Sequence, residues 1–204
     1  LTATAGYYPI VLLDGPRQSG KTTLTQAAFP DKAYVTLEPL DTRDFARTDP
    51  RGFLSQYRGG AIIDEVQHAP DLLSYLQDEV DRDPTPGRFI LTGSQNLAIS
   101  QAVSQSLAGR AGILQLLPFS RAELAGFSNA PKDLFELLWS GGYPRIYDRS
   151  IPAHQWLADY VATYVQRDVR QVLNVTDLEA FTSFARHCAG RTSCEVNLSA
   201  LGAD

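Results

Sequence analysis

The residue types best suited to chemistry lie in the stretch GPRQSGKTTL, which begins at Gly15 and follows a short apolar run at 10–13. The stretch matches the pattern G-x-x-x-x-G-K-[ST] in full, with Lys21 and Thr22 at its end. In this pattern backbone N–H groups turn around an anion, the lysine reaches the β- and γ-phosphates, and the hydroxyl ligates Mg²⁺. We therefore predict a phosphate-binding loop, called the glycine-lysine loop below. It comprises Gly15, Pro16, Arg17, Gln18, Ser19, Gly20, Lys21, Thr22 and Thr23.

An acidic pair, Asp64 and Glu65, ends the apolar run at 61–63. Apolar strands that end in acidic residues are common, but downstream of a phosphate loop the pair has a specific use. Asp64 is predicted to hold Mg²⁺ together with Thr22, and Glu65 to polarise the attacking water. Because the chain contains no Asn-Lys-x-Asp guanine-recognition motif, the pair favours ATP hydrolysis over GTP switching.

Two further candidates are less specific. Small polar residues follow the apolar run at 89–91, and Ser94 or Thr92 is predicted to contact the γ-phosphate or the water, although an ordinary turn has the same composition. Arg110 precedes another apolar run, and an arginine near a phosphate site neutralises transition-state charge, in the same chain or from a neighbour. The alternative for Arg110 is a surface ion pair.

The elements that must position these residues alternate between apolar runs and helix-period segments, as in a parallel sheet covered by helices. Predicted strands cover 10–13, 33–37, 61–63, 89–91 and 113–117. Predicted helices cover 21–29, 70–80, 131–139 and 153–173, and a further helix begins after Asp177 as its cap. Residues 140–150 are predicted as a glycine- and proline-rich connection. The pattern indicates an α/β domain followed by a helical region.

Composition limits the possible functions. The 204 residues are 44% hydrophobic and 20% charged with a net charge of −5, which is ordinary for a globular protein and argues against a nucleic-acid footprint spread over the whole surface. No secretory signal or membrane-length apolar segment is visible, so we expect a cytoplasmic protein without membrane contact. The cysteines and histidines lack metal-site spacing. The absence of methionine and the final stretch NLSALGAD suggest a fragment of a longer protein.

The motifs together resemble a known family. The stretches GPRQSGKTTL, IIDEVQHAPDLLSYLQDEVD, FILTGSQN, SLAGRAGILQLLPFSRAEL and GGYPRIY are similar to the bacterial and archaeal AAA+-like ATPases that carry a carboxy-terminal domain of unknown function. The resemblance implies a P-loop NTPase three-layer sandwich with a five-stranded parallel sheet, in which the sensor strand lies between the loop strand and the acidic strand. It implies that the glycine-lysine loop is a Walker A motif and the acidic pair a Walker B motif. Ser94 or Thr92 is then the sensor and Arg110 a candidate arginine finger.

The same resemblance implies a division into an ATPase core at 1–125 and a helical lid subdomain at 126–204 that ends where a winged helix begins. We expect an ATP- and Mg²⁺-dependent motor or switch that acts on an unknown protein or DNA partner, in part through a further carboxy-terminal region, and that forms a homo-oligomer. The alternative is a nucleotide-dependent protein or DNA binding module with negligible turnover. A small-molecule kinase is less well supported because no acceptor-binding acid can be identified.

Overall fold

The computed structural model describes residues 1–94, 106–164, 177–191 and 195. The chain divides into two compact units, Leu1–Ser150 and Ile151–Asp204. The functional division at residue 125 stays a prediction.

The first unit is built on a five-stranded sheet in which every pair of neighbouring strands is parallel. Its strands are β1 Ile10–Gly15, β2 Ala33–Thr36, β3 Ala61–Asp64, β4 Phe89–Ser94 and β5 Ala111–Gln115. The order across the sheet is β2-β3-β4-β1-β5, so β4 lies between β1 and β3 as the family resemblance implied. Each predicted strand is present. The last one lies two residues earlier than predicted, because the small residues Ala111 and Gly112 also pair with β1.

The central strands are apolar up to their carboxyl ends because both faces of the sheet are covered. On one face, Ile10, Leu12 and Ile63 pack with the helices that follow β2 and β3. On the other face, Val11 and Ile90 pack in a smaller cluster that includes Ala5 and Phe29. This two-sided burial gives the three-layer α/β sandwich that the sequence predicts, with the strand register fixed by alternating side chains.

The helices of the first unit include predicted and unpredicted segments. Among the described residues they are Thr2–Ala5, Lys21–Ala28, Leu40–Thr48, Pro50–Ser55, Leu72–Arg82, Arg121–Leu124, Leu134–Ser140 and Pro144–Asp148, with a 3₁₀ turn at Val66–His68. The helix Pro50–Ser55 begins with proline and is capped by the Asp49 side chain, which accepts from Gly52 N at 2.9 Å. The prediction of 140–150 as connection only was wrong, because Pro144 begins a short helix there.

The second unit is helical in its described part, with helices Ala153–Tyr164 and Leu178–Gly190. Asp177 caps the latter, as predicted, by accepting a hydrogen bond from Ala180 N at 2.9 Å. In the former, the rings of Trp156 and Tyr160 stack with centroids 5.0 Å apart. The predicted continuation of this helix over 165–173, and the predicted winged-helix entrance at 197–204, lie outside the described residues. Within the described ranges, no helix has both the length and the apolar character needed to cross a membrane.

Candidate functional site

The carboxyl ends of β1, β3 and β4 bring the predicted functional residues to one edge of the sheet. The register pairs Gly15 with Ser94 across β1 and β4, and Ile63 with Leu91 across β3 and β4. The glycine-lysine loop, the acidic pair and the polar end of β4 therefore lie side by side. This edge is where open parallel sheets bind their ligands.

The backbone of the glycine-lysine loop needs residues without a side chain at two points. A Cβ atom at Gly15, which has φ 154°, would lie 2.2 Å from the carbonyl oxygen of Leu116. Gly20 has φ 95° and precedes the helix Lys21–Ala28, whose first N–H groups therefore receive no cap from its side chain. Gln18 is also left-handed, at φ 61°. Left-handed turns next to an uncapped helix start form a concave set of N–H donors that suits an anion.

Lys21 lies inside the loop and is only 6% exposed. Its ammonium group donates to the carbonyl oxygens of Gly15 at 2.9 Å and Pro16 at 2.7 Å. Burial lowers the pKa of Lys21, while the nearby carboxylates of Glu65, Asp14 and Asp64 act in the opposite direction. A desolvated cation is a strong partner for a phosphate oxygen, because little water has to be displaced from it.

Asp64 is 5% exposed and accepts hydrogen bonds from three hydroxyl groups. Thr22 Oγ1 and Tyr34 Oη each donate to Asp64 Oδ2 at 2.9 Å, and Thr92 Oγ1 donates to Oδ1. Burial, followed by the contact with Asp64, raises the pKa of Tyr34 to about 12, so Tyr34 stays a donor at neutral pH. A hydroxyl and a carboxylate in contact are the hard oxygen ligands that Mg²⁺ prefers. The residues present therefore fit a magnesium ion.

Glu65 follows Asp64 and lines the cavity beside the loop. Its Oε2 accepts from Ser94 Oγ at 3.3 Å and from Gln67 Nε2, and its backbone N–H donates to Thr92 Oγ1 at 3.3 Å. Both candidates for the sensor position thus contact the acidic pair, Thr92 through Asp64 and Ser94 through Glu65. Their contact with a nucleotide stays a prediction.

A cavity of about 770 Å³ opens beside the glycine-lysine loop. This volume falls in the usual range of small-molecule sites, roughly 300–1,000 Å³. Polar groups of the loop and Glu65 form part of the lining, and an apolar and aromatic surface forms another part. The residues of that second surface include Leu116, Leu117, Phe119, Phe127 and Pro144, and the Phe119 and Phe127 rings are 5.2 Å apart.

Arg110 does not lie at this site. Its carbonyl accepts a hydrogen bond from the N–H of Ile10, the first residue of β1, so Arg110 lies at the amino-terminal edge of the sheet. The loop follows the other end of β1, about 16 Å away at roughly 3.3 Å per strand residue. The Arg110 guanidinium instead contacts Asp81 at 2.5 and 2.9 Å. This position argues against the alternative in which Arg110 acts within its own chain, and action on a neighbouring chain stays a prediction.

The residues at the site that sequence reasoning missed include Tyr34, Gln67, Pro144 and Arg145. Gln67 and the GGYPR stretch belong to the motifs quoted above, so a signal existed without an assigned role. Tyr34 gave no signal, because a tyrosine in an edge strand is also an ordinary strand residue.

The chain matches two protein-family models. Residues 7–125 match the model of a family described as an AAA domain. The chain belongs to this AAA domain family. Residues 131–204 match a second model, described as a domain of unknown function (DUF8612). The two matches confirm the resemblance to AAA+-like ATPases with a carboxy-terminal domain of unknown function.

Relatives of this AAA domain occur in mycobacteria. Uncharacterized proteins of Mycobacterium bovis and Mycobacterium tuberculosis are each 35% identical over 170 residues, which is 80% of this chain and 37% of their own length. The chain therefore spans well under half the length of these curated relatives.

Two solved structures are similar to this AAA domain. A Walker-type ATPase of Pyrococcus abyssi has a TM-score of 0.50 at 17% identity, over 85% of this chain and 72% of that one. RuvB of Thermotoga maritima gives a TM-score of 0.45 at 22% identity, over 95% of this chain and 72% of that one. The first of these likenesses supports the P-loop fold.

Proposed function

We propose that this AAA domain binds ATP with Mg²⁺ and hydrolyses it. The observation that carries the proposal is the contact of Thr22 in the loop with Asp64 on β3, at 2.9 Å, beside Glu65 in the same cavity. Residues suited to phosphate binding, to metal binding and to general-base catalysis lie together there. An ordinary glycine turn would not need this arrangement.

Different parts of the cavity would bind different parts of ATP. The loop N–H groups and Lys21 are placed for the phosphates, and Thr22 with Asp64 would hold Mg²⁺, which supplies charge neutralisation at the phosphates when bound. The surface around Phe119 and Phe127 offers the nucleobase an apolar face. Arg145 also lines this cavity, and it supplies a cation that Arg110 cannot supply within one chain.

Glu65 acts as the general base in this proposal. Water attacks the γ-phosphorus, the bond from that phosphorus to the bridging oxygen breaks, and ADP leaves. Glu65 accepts the proton that the water loses, and Lys21 stabilises negative charge on the phosphate oxygens. Ser94 contacts the carboxylate that takes the proton, so it is placed to orient this carboxylate and the attacking water.

We further propose that hydrolysis drives a motor or switch acting on a protein or DNA partner, in the cytoplasm where ATP is available. Family membership supports this role, and the net charge of −5 favours a protein partner over a large DNA footprint. A homo-oligomer would give Arg110 a neighbouring site to act on. The curated relatives extend well beyond the matched region, and we propose that such additional length takes part in the partner contacts.

Nucleotide binding is tested by Lys21→Ala, with Lys132→Ala as the matched control because Lys132 is exposed. Lys21 supplies the buried positive charge for the phosphates, so we expect its removal to abolish calorimetrically measurable binding of a non-hydrolysable ATP analogue. The control should bind like the wild type. Tight analogue binding by Lys21→Ala would contradict the assignment of the loop.

A further inference from the structure

The backbone after the acidic pair turns sharply. Glu65 has φ 59° and ψ 46°, a left-handed conformation that is uncommon for residues with a side chain. The 3₁₀ turn Val66–His68 follows directly, and His68 N donates to Glu65 O at 3.0 Å. This turn brings the side chain of Gln67 back over the carboxylate of Glu65, two residues earlier in the chain.

Gln67 joins the ends of β3 and β4 through both ends of its amide. Its Oε1 accepts from Ser94 N at 3.4 Å, and its Nε2 donates to Glu65 Oε2 and lies 3.5 Å from Ser94 Oγ. The Ser94 backbone N–H can only donate, so it fixes the amide oxygen on its side and the amide nitrogen on the side of Glu65. The orientation of this amide is therefore determined by its neighbours.

The two oxygens of Glu65 differ as a result. Oε2 receives the Gln67 amide and the Ser94 hydroxyl, whereas no donor among the described residues is seen at Oε1. Glu65 lines the cavity next to Lys21 and Thr22. A carboxylate held by one oxygen presents the other in a fixed direction.

We propose that Gln67 is the positioning residue of the general base. It clamps Glu65 Oε2 against Ser94, so that Oε1 is the oxygen that accepts the proton from water. The assignment rests on the proposed hydrolysis by Glu65, and it adds a residue to which the sequence motifs gave no role. Correct placement of a base matters because an error of about 1 Å costs on the order of a hundredfold in rate.

The decisive variant is Gln67→Glu, which keeps the size of the side chain and replaces the N–H donor by a second carboxylate. Two carboxylates in contact cannot both be ionised without strong repulsion, so the pair keeps one proton to higher pH. We expect hydrolysis at neutral pH to fall on the order of tenfold or more, with recovery as the pH rises. Gln67→Met, which removes the donor without adding charge, should lower kcat at every pH with no shift of the profile.

The matched control is Gln56→Glu, which makes the same charge change at an exposed residue next to the helix Pro50–Ser55. Its pH profile should follow the wild type. The dissociation constant of a non-hydrolysable ATP analogue, measured by calorimetry, should be unchanged within about threefold in both Gln67 variants, because positioning of the base adds little to ground-state binding.

The result that overturns the proposal is a pair of Gln67 variants that fold, bind the analogue and hydrolyse ATP with the wild-type rate and pH profile. Loss of analogue binding in Gln67→Met, despite a native unfolding transition, would also overturn it, since Gln67 would then be a binding residue. A wild-type protein that hydrolyses nothing would reject the proposed function itself. That outcome is distinguished by the wild-type measurement alone.

Discussion

The carboxylate of Asp64 accepts hydrogen bonds from hydroxyl groups of three different elements. Thr22 lies where the glycine-lysine loop enters the helix Lys21–Ala28, Tyr34 belongs to β2 and Thr92 to β4. Thr22 and Tyr34 donate to the same oxygen, so Tyr34 helps to fix the direction of the carboxylate that we propose shares Mg²⁺ with Thr22. The tyrosine is 39% exposed, yet its hydroxyl is held at the site.

Tyr34→Phe removes only this hydroxyl. Partners that orient a metal ligand are typically worth about 10–100-fold in metal affinity, so we expect the Mg²⁺ concentration that half-saturates hydrolysis to rise on the order of tenfold. A magnesium titration at saturating ATP measures it. The control is Tyr7→Phe, at a tyrosine that is 80% exposed and lies outside the site. An unchanged magnesium requirement in Tyr34→Phe would show that the hydroxyl does not orient Asp64 for metal.

The residues of the site differ in how far sequence reasoning could reach them. Lys21, Thr22, Asp64 and Glu65 stand in contiguous motifs whose spacing has a chemical reason, and the structure brings them together. Tyr34 donates to the Asp64 carboxylate from the edge strand β2, and the register of β2 with β3 brings the two residues together. Such a contact depends on pairing between distant segments, which no local pattern expresses.

At the scale of elements, the glycine-lysine loop and β5 are linked by close packing. Gly15 lies against the backbone of Leu116, whose N–H donates to Asp14 O at 2.7 Å. Sequence reasoning explained Gly15 by phosphate approach alone. The structure adds a second reason, since the strand that follows Arg110 passes too near for any side chain at this position.

Gly15→Ala tests this packing. The added Cβ would lie 2.2 Å from the Leu116 carbonyl oxygen, so strand or loop must move. Overpacking of this kind typically costs about 1–3 kcal/mol in the free energy of unfolding, measured by urea denaturation. Gly59→Ala is the control, because no atom lies within 4 Å of its added Cβ. Equal stability of the two variants would show that the contact between β5 and the loop is loose.

Helices and strands were predictable from the sequence where burial produces a regular pattern of apolar residues. All five strands were expected from apolar runs, and the helix Leu72–Arg82 from its stripe of Leu72, Leu73, Leu76 and Val80, which are all buried. The helices Leu40–Thr48 and Pro50–Ser55 were not expected. Both are short, and the first is mostly polar. Each is stabilised by packing of a few residues such as Ala46 and Phe53.

At the scale of the whole molecule, the position of Arg110 bears on the proposed homo-oligomer. Arg110 lies at the edge of the sheet opposite the loop and pairs with Asp81, so it can reach a nucleotide only on a neighbouring chain. If Arg110 acts on a neighbouring chain, the specific activity of the wild type should rise with protein concentration as chains associate. Arg110→Ala should then lower hydrolysis only at the concentrations at which this rise is seen. The measurement is ATP hydrolysis over a dilution series.

Asp81→Ala is the control for Arg110→Ala, since it breaks the same ion pair but keeps the guanidinium. A role on a neighbouring chain predicts loss in Arg110→Ala and near-normal activity in Asp81→Ala. Equal, wild-type hydrolysis by both variants at all concentrations would make Arg110 a surface ion-pair residue. Loss of activity in dilute, monomeric Arg110→Ala would contradict the placement of this residue away from its own site.

A comparison of ATP binding with ATP hydrolysis in Glu65→Gln tests the proposed general base. The amide keeps the shape of the side chain but cannot accept a proton from water, and a general base contributes about a hundredfold or more to the rate. We expect wild-type affinity for ATP together with a loss of hydrolysis of that size. Hydrolysis should be unchanged in the control Glu179→Gln, because Glu179 lies in the exposed first turn of the helix Leu178–Gly190. Hydrolysis by Glu65→Gln within a few-fold of the wild type would contradict the role of Glu65 as general base.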